Sequence, residues 1–277
     1  MSNIKTVSKL SVVTLAATVV LTACGVNDSG SQAKLPDVTT GDHRPADEVA
    51  RDRFRNPQAT LEFFGLQPSS KVVELWPSGG WYTKVIAPAV RDSGVYYAAH
   101  FDPESKIEML RKSRSGYETF LASRPELYDQ VVITVLQPPA KTDIAPAGSV
   151  DLVVSFRSVH NWMAFGMQDD VMAAVYKALK PGGVFGVVEH RGIAGTEQDP
   201  KAASGYVTEA YMIELAEKAG LVFDSSSEVN ANSLDTKDHP SGVWSLPPRL
   251  KDGDDTKDKY LTIGESDRFT LRFKKPE

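Results

Sequence analysis

A single cysteine, Cys24, occurs among 277 residues. The body that follows Cys24 holds no other cysteine, so it has no disulfide, no thiolate metal site and no cysteine nucleophile. The histidines His43, His100, His160, His190 and His239 stand far apart in sequence. None shows paired ligand spacing, so no metal site is expected. The serine-hydrolase elbow G-x-S-x-G is missing. Basic residues number 31 against 36 acidic ones and gather into no stripe. Nucleic acid is therefore not an expected partner. Long apolar runs are also lacking; the N-terminal one is too short and one-sided for a durable membrane span.

What the N-terminus does hold is ordered like a secretory signal. "MSNIKTVSKL" carries Lys5 and Lys9 and no acid, "SVVTLAATVV" is a short apolar run, and small residues follow. The "LTAC" ending at Cys24 resembles the bacterial lipobox. That resemblance implies a signal peptide over residues 1–23, lipidation of Cys24 and a lipoprotein held on the periplasmic side of a membrane. Gly25 at the next position favours the outer membrane. The alternative is an ordinary signal with an incidental cysteine. Loss of Lys5 and Lys9 with the signal leaves 29 basic against 36 acidic residues, a net charge of −7. No polybasic second signal is present, so the N-terminal lipid is the only expected membrane contact. Residues 24–50 are polar, rich in Gly, Pro and Ser, and aperiodic; a flexible tether is expected, with order beginning near Arg51. Residues 51–277 suit one domain.

From there apolar strands and amphipathic helices alternate. The strands are "KVVELW", "VYYAAHF", "QVVITVL", "VDLVVSF", "VFGVVEH", "LVFDSSSEV" and "DRFTLRF". Asn56-Pro57 and Asp102-Pro103 read as helix starts, and Gly65, Gly94 and Lys180-Pro181-Gly182-Gly183 as helix stops. Near-continuous apolar strands separated by helices predict an α/β fold: a Rossmann-like, doubly wound sheet with helices on both faces. No helical pattern separates the last two strands. Six strands are thus expected parallel and the seventh antiparallel, after a long polar excursion at roughly 230–264.

Ligands in such sheets bind beyond the carboxyl ends of the strands. The first strand runs into Val72-Val73-Glu74-Leu75-Trp76-Pro77-Ser78-Gly79-Gly80. This resembles the first motif of class I S-adenosylmethionine-dependent methyltransferases: two aliphatics, an acid, an aliphatic, then G-x-G-x-G. Glu74 and Gly80 keep the pattern; Trp76 and Ser78 replace its first two glycines. The stretch is similar, more closely, to a group of exported bacterial predicted methyltransferases reading E-(I/L)-W-P-x-G-G-W-Y. That likeness extends over residues 51–277 through "FFGL", "AAHFDP", "FRSVHNW" and "KPGG".

The resemblance implies S-adenosylmethionine as cofactor and a small molecule as acceptor. Glu74, Trp76, Ser78, Gly79 and Gly80 would hold its methionine end. Gly79-Gly80 before a helix N-terminus lets amides approach a carboxylate. Trp76 is either a wall that stacks on the ligand or a plug that fills the site. At the second strand's end His100 and Asp102 compete for the ribose, and Asp102 has a rival role as a helix cap. Gln137 can accept from an adenine amine. The fourth strand's end, "SFRSVHNWM", places Phe156 beside the cofactor, His160 as the base, Arg157 toward an acidic substrate or Glu74, and Asn161 and Trp162 against the acceptor. His190 at the fifth strand's end is a second acid–base candidate. His239 and Trp244 fall in the late excursion, a possible lid. Two further readings stay open: a non-catalytic lipoprotein that binds a nucleoside-like ligand, and a different enzyme using His160 and His190 without a methyl donor.

Overall fold

The computed structural model describes Met1 and residues 35–277. The signal, the lipobox and Cys24 lie outside the described residues. No helix among the described residues is long and apolar enough to cross a membrane.

The strands are β1 (Lys71–Leu75), β2 (Val95–His100), β3 (Val132–Val135), β4 (Val150–Phe156), β5 (Leu179–His190), β6 (Val222–Ser227) and β7 (Arg268–Lys274). The helices are α1 (Ala46–Val49), α2 (Asp52–Arg55), α3 (Pro57–Phe64), α4 (Thr83–Val90), α5 (Glu108–Ser123), α6 (Pro125–Tyr128), α7 (Val159–Phe165), α8 (Gln168–Ala178), α9 (Glu209–Lys218) and α10 (Lys257–Ile263). The sheet order is β3-β2-β1-β4-β5-β7-β6. Neighbours from β3 through β5 pair in parallel, and β7 pairs antiparallel with both β5 and β6. Six strands therefore point one way and β7 the other, as expected, but the expected lack of a helix before β7 does not hold, because α10 lies there.

Alternate residues along each strand go to opposite faces. Val73, Val153, Phe185 and Leu271 share a core with α7, α8 and α9. Val72, Leu152, Val154 and Val188 share the other with α3, α4 and α5. Both faces are covered, which is why the strands read as apolar runs rather than alternating ones. A Cβ at Gly186 of β5 would lie 2.5 Å from the Phe64 ring. The glycine lets α3 sit directly on the sheet.

Three further expectations are corrected. The tether is packed from Leu35 onward: Leu35 and Val38 are buried in a core, and Arg44 forks onto Asp52 at 2.7 and 2.6 Å. The ordered body thus begins well before Arg51. Asp102-Pro103 does not start a helix; α5 begins at Glu108. Asp102 instead accepts from the Glu104 amide at 3.1 Å and pairs with Lys141 at 2.7 Å, an Asx-type turn that competes with capping. Lys180-Pro181-Gly182-Gly183 does not end a helix. Leu179 is already extended after α8, and the four residues lie within β5, where its register against β4 shifts. Lys275 claims them, donating to the Gly183 carbonyl at 2.9 Å and accepting from the Gly182 amide at 3.0 Å.

Candidate active site

A cleft of about 890 Å³ opens beyond the carboxyl ends of the parallel strands, where open α/β sheets bind ligands. One end is built by the loop after β1. Trp76 (φ 48°), Ser78 (φ 52°) and Gly80 (φ 79°) all take left-handed backbone conformations. For Trp76 and Ser78 this costs on the order of 1 kcal/mol each, so the loop needs anchors. Trp76 donates its amide to Ala99 O at 2.9 Å and its indole N–H to Leu136 O at 3.0 Å. Its ring packs on Phe101 with centroids 5.1 Å apart. Gly80 donates to Pro77 O at 2.8 Å. Gly80 does not face the cleft: a Cβ there would meet Phe120 of α5 at 2.7 Å. Gly79 is the open position, with nothing within 4 Å of its virtual Cβ. Among the described residues the Ser78 and Gly79 amides have no acceptor, and both residues line the cleft.

His100 lies beneath this loop, not in the cleft. Its Nδ1 accepts from the Phe101 amide at 2.7 Å, so Nε2–H donates to Ser78 O at 3.0 Å. Burial pushes its pKa down to about 4, which keeps the ring neutral. Both nitrogens are occupied, and with Asp102 held by Lys141 neither ribose candidate faces the cleft. Phe101, between them, does. Glu74 is also structural. It is buried, Tyr96 and Thr83 hydroxyls donate to it, and burial raises it to about 7. It bonds neither the loop amides nor Arg157. Gln137 lines the cleft with its Oε1 buried and without a donor. Phe156 also lines the cleft, with one face covered by Tyr82 at 3.4 Å between centroids.

The other end follows β4 and β5. Arg157 (φ 57°) donates its amide to Val188 O at 2.7 Å, which turns its side chain out of the sheet line. Its guanidinium is half-buried and makes no ion pair among the described residues. His160 and Asn161 open α7. Glu189, fully buried on β5, accepts from the Val159 amide at 2.6 Å, the His160 amide at 3.3 Å and the His190 amide at 2.8 Å. A carboxylate at these amides suits the helix start. The same carboxylate lies 3.1 Å from His160 Nδ1. That fixes Nδ1–H toward Glu189 and leaves Nε2 to accept from Asn161 Nδ2 at 3.0 Å. His190 stands 5.3 Å from the His160 ring, bonded to Ser266. Burial first, then His160 and nearby arginines, pushes His190 well below the usual imidazole range, so it is neutral. Trp162, expected at the acceptor, is fully buried in the core beside Trp76 and does not line the cleft. Trp244 of the late excursion does line it, 6.2 Å from His160. His239 is held away by Asp235 at 2.8 Å.

No family model matches the chain, and no curated protein matches its sequence. Solved structures do match. A SAM-dependent methyltransferase from Aquifex aeolicus aligns with a TM-score of 0.54 over 81% of this chain and 92% of its own, at 14% identity. The cyclase SpnF aligns with a TM-score of 0.54 over 85% of this chain and 84% of its own, at 16% identity. The chain has a Rossmann-like methyltransferase fold.

Within that methyltransferase fold the structure adds residues that spacing did not reveal. Glu189, His160 and His190 bring ligand-type atoms within 4.8 Å of one another, although no metal spacing was visible. Glu189 already takes three backbone amides and the His160 N–H, so the group is a hydrogen-bonded cluster in which the carboxylate orients an imidazole. Arg51, Arg55 and Arg268 also line the cleft, gathered around Glu265. They come from α2, its flank and β7, more than 200 residues apart. Only the apolar pattern that places β7 against β5 hints at their meeting.

Proposed function

We propose that the protein is an S-adenosylmethionine-dependent methyltransferase of a small-molecule acceptor, exported and anchored through a lipid on Cys24. One observation supports it most. The cleft holds groups of the right kinds: open Ser78 and Gly79 amides, the orphaned Gln137 Oε1, and an imidazole oriented by a buried carboxylate, its Nε2 meeting only the neighbouring Asn161 amide. Ser78 and Gly79 suit the cofactor's methionine carboxylate, Gln137 its adenine amine, and Trp76 and Phe101 the apolar wall between. His100 and Asp102 are committed elsewhere, so the ribose rests without a carboxylate partner. The cofactor, when bound, supplies an electrophilic methyl group.

The chain's own part is orientation and proton handling. Glu189 holds the tautomer of His160, whose Nε2 lone pair faces the Asn161 amide until an acceptor proton replaces it. His190, neutral beside it, is the second base. Calorimetric titration with S-adenosylmethionine and S-adenosylhomocysteine tests the reading; no binding at millimolar concentration sinks it. His160→Ala is expected to spare binding and lower turnover ~100-fold or more.

The paired imidazoles also favour a second reading, an acid–base enzyme on the same fold without a methyl donor. Turnover that needs His160 and His190 but no cofactor would select it.

A further inference from the structure

The cleft carries more positive charge than the proposed cofactor can use. Arg51, Arg55, Arg157 and Arg268 all line it. Their one shared counter-charge, Glu265, lies behind them and does not line it. Arg51 Nε reaches Glu265 Oε1 at 2.6 Å, Arg55 Nε reaches Oε2 at 3.3 Å, and Arg268 Nη2 bonds Oε2 as well. Arg157 is paired with nothing among the described residues. Four guanidiniums against one carboxylate leave an excess of three positive charges.

Donors are left over too. Arg51 Nη2 and Arg268 Nε are buried and without an acceptor, and Arg268 is only 2% exposed. Burial, then the charge of Arg157, pushes Arg55 down to about 8; burial, then Arg268, pushes Arg157 to about 10. A guanidinium keeps its proton in a protein, so both stay charged against the cost of burial. Burial would raise Glu265, yet the arginines pull it down to about 2.

The other carboxylates at the cleft do not fill the gap. Glu74 is held by Tyr96 and Thr83, Glu48 pairs with Lys84 at 3.0 Å, and Asp47 is exposed. S-adenosylmethionine does not fill it either. Its carboxylate is outweighed by an ammonium and a sulfonium, so it brings net positive charge. Guanidinium forks match planar or tetrahedral oxyanions, and buried unpaired charge is strongly unfavourable.

We propose that this arginine end of the cleft binds a doubly charged oxyanion group on the acceptor, a phosphate monoester or a dicarboxylate. The identification of that group as part of an acceptor rests on the methyltransferase reading; the anion site itself does not. His160 and His190 border the same end, so an acceptor held there by its anion presents its remaining groups to the imidazoles.

Titration of inorganic phosphate and, separately, malonate into the purified full chain, with no methyl donor, tests the site. At least one dianion is expected to bind and raise Tm, more weakly as salt increases. Arg157→Gln should weaken it roughly tenfold or more, equivalent to about 1.4 kcal/mol. Arg157 has no partner to lose, so its ligand-free Tm should stay near that of the parent. Arg124→Gln, remote from the cleft, should bind like the parent. Preference for phosphate marks a phosphate monoester, preference for malonate a dicarboxylate. The proposal falls if neither dianion binds, if acetate binds as tightly, or if a folded Arg157→Gln binds unchanged. Dianion binding without any S-adenosylmethionine binding would overturn the methyltransferase reading and leave the anion site standing.

Discussion

The two ends of the cleft use their residues in opposite ways. At the loop after β1 the side chains are committed to structure. Trp76 is tied to Leu136, His100 to Ser78, Glu74 to Tyr96, and Gly80 lies under Phe120. What remains open there is backbone. Beyond β4 and β5 the backbone is committed and side chains line the cleft: Arg157 unpaired, His160 and Asn161 bonded to each other at its wall, Arg51 and Arg268 with donors unused. A backbone surface suits a ligand recognised by shape and a carboxylate. A surface of charged side chains suits a ligand recognised by charge. One cleft thus joins two recognition modes.

The contrast can be broken most severely at Trp76. Trp76→Ala should cost ~3–5 kcal/mol by leaving a cavity against Phe101 and Trp162. Trp76→Phe should cost only about 1 kcal/mol for the indole hydrogen bond. Chemical denaturation separates them. If Trp76 is a wall, both variants weaken S-adenosylmethionine; tighter binding to Trp76→Ala would make it a plug.

Glu74 gives a pH signature of the loop end. Its folded pKa of about 7 exceeds its ordinary value of 4.5. The unfolded chain ionises it first, so its contribution is full below pH 4.5 and is lost as pH rises through about 7. The loss is about 3 kcal/mol, an order-of-magnitude figure. Glu74→Gln should flatten that decline in denaturation measured from pH 5 to pH 8; an unchanged slope would place the titration elsewhere.

At the other end Glu189→Gln should cost about 2–3 kcal/mol, because its one oxygen can serve only one of the two accepting positions and its N–H₂ faces N–H donors at the other. Its sharper mark is a shifted pH–rate profile, since the His160 tautomer is no longer held. The smallest effect is expected for Asp102→Asn. With Asp102 turned to Lys141, cofactor affinity should change less than about twofold and stability by less than about 0.5 kcal/mol. A large loss of affinity would restore Asp102 to the ribose.

Much of the fold was legible because apolar runs and the helices between them report burial directly. The antiparallel β7 came out as expected but not for the expected reason: α10 stands before "DRFTLRF", and with Tyr260 as its only buried residue it leaves no apolar stripe to read. Local punctuation misled at Asp102-Pro103 and at Lys180–Gly183, where partners distant in sequence, Lys141 and Lys275, outcompeted local capping. The site was half legible. Strand ends named Trp76, Gln137, Arg157, His160 and His190 as residues at the cleft. They did not reveal that His100 and Trp162 turn away, since a strand-end residue's direction depends on what packs below it.

The sequence by itself determined the strand and helix series, the altered glycine loop and the presence of histidines at two strand ends. Those follow from short-range pattern, which every residue carries with it. Only the tertiary structure decided which groups are used up and which are left over. Glu189 meeting His160, and Glu265 drawing Arg51 and Arg55 from the other end of the chain, are encounters between residues about 30 and more than 200 positions apart. Hydrogen bonds and charges act through space, so the surplus of arginine that marks the far end of the cleft exists only once β7 lies beside β5.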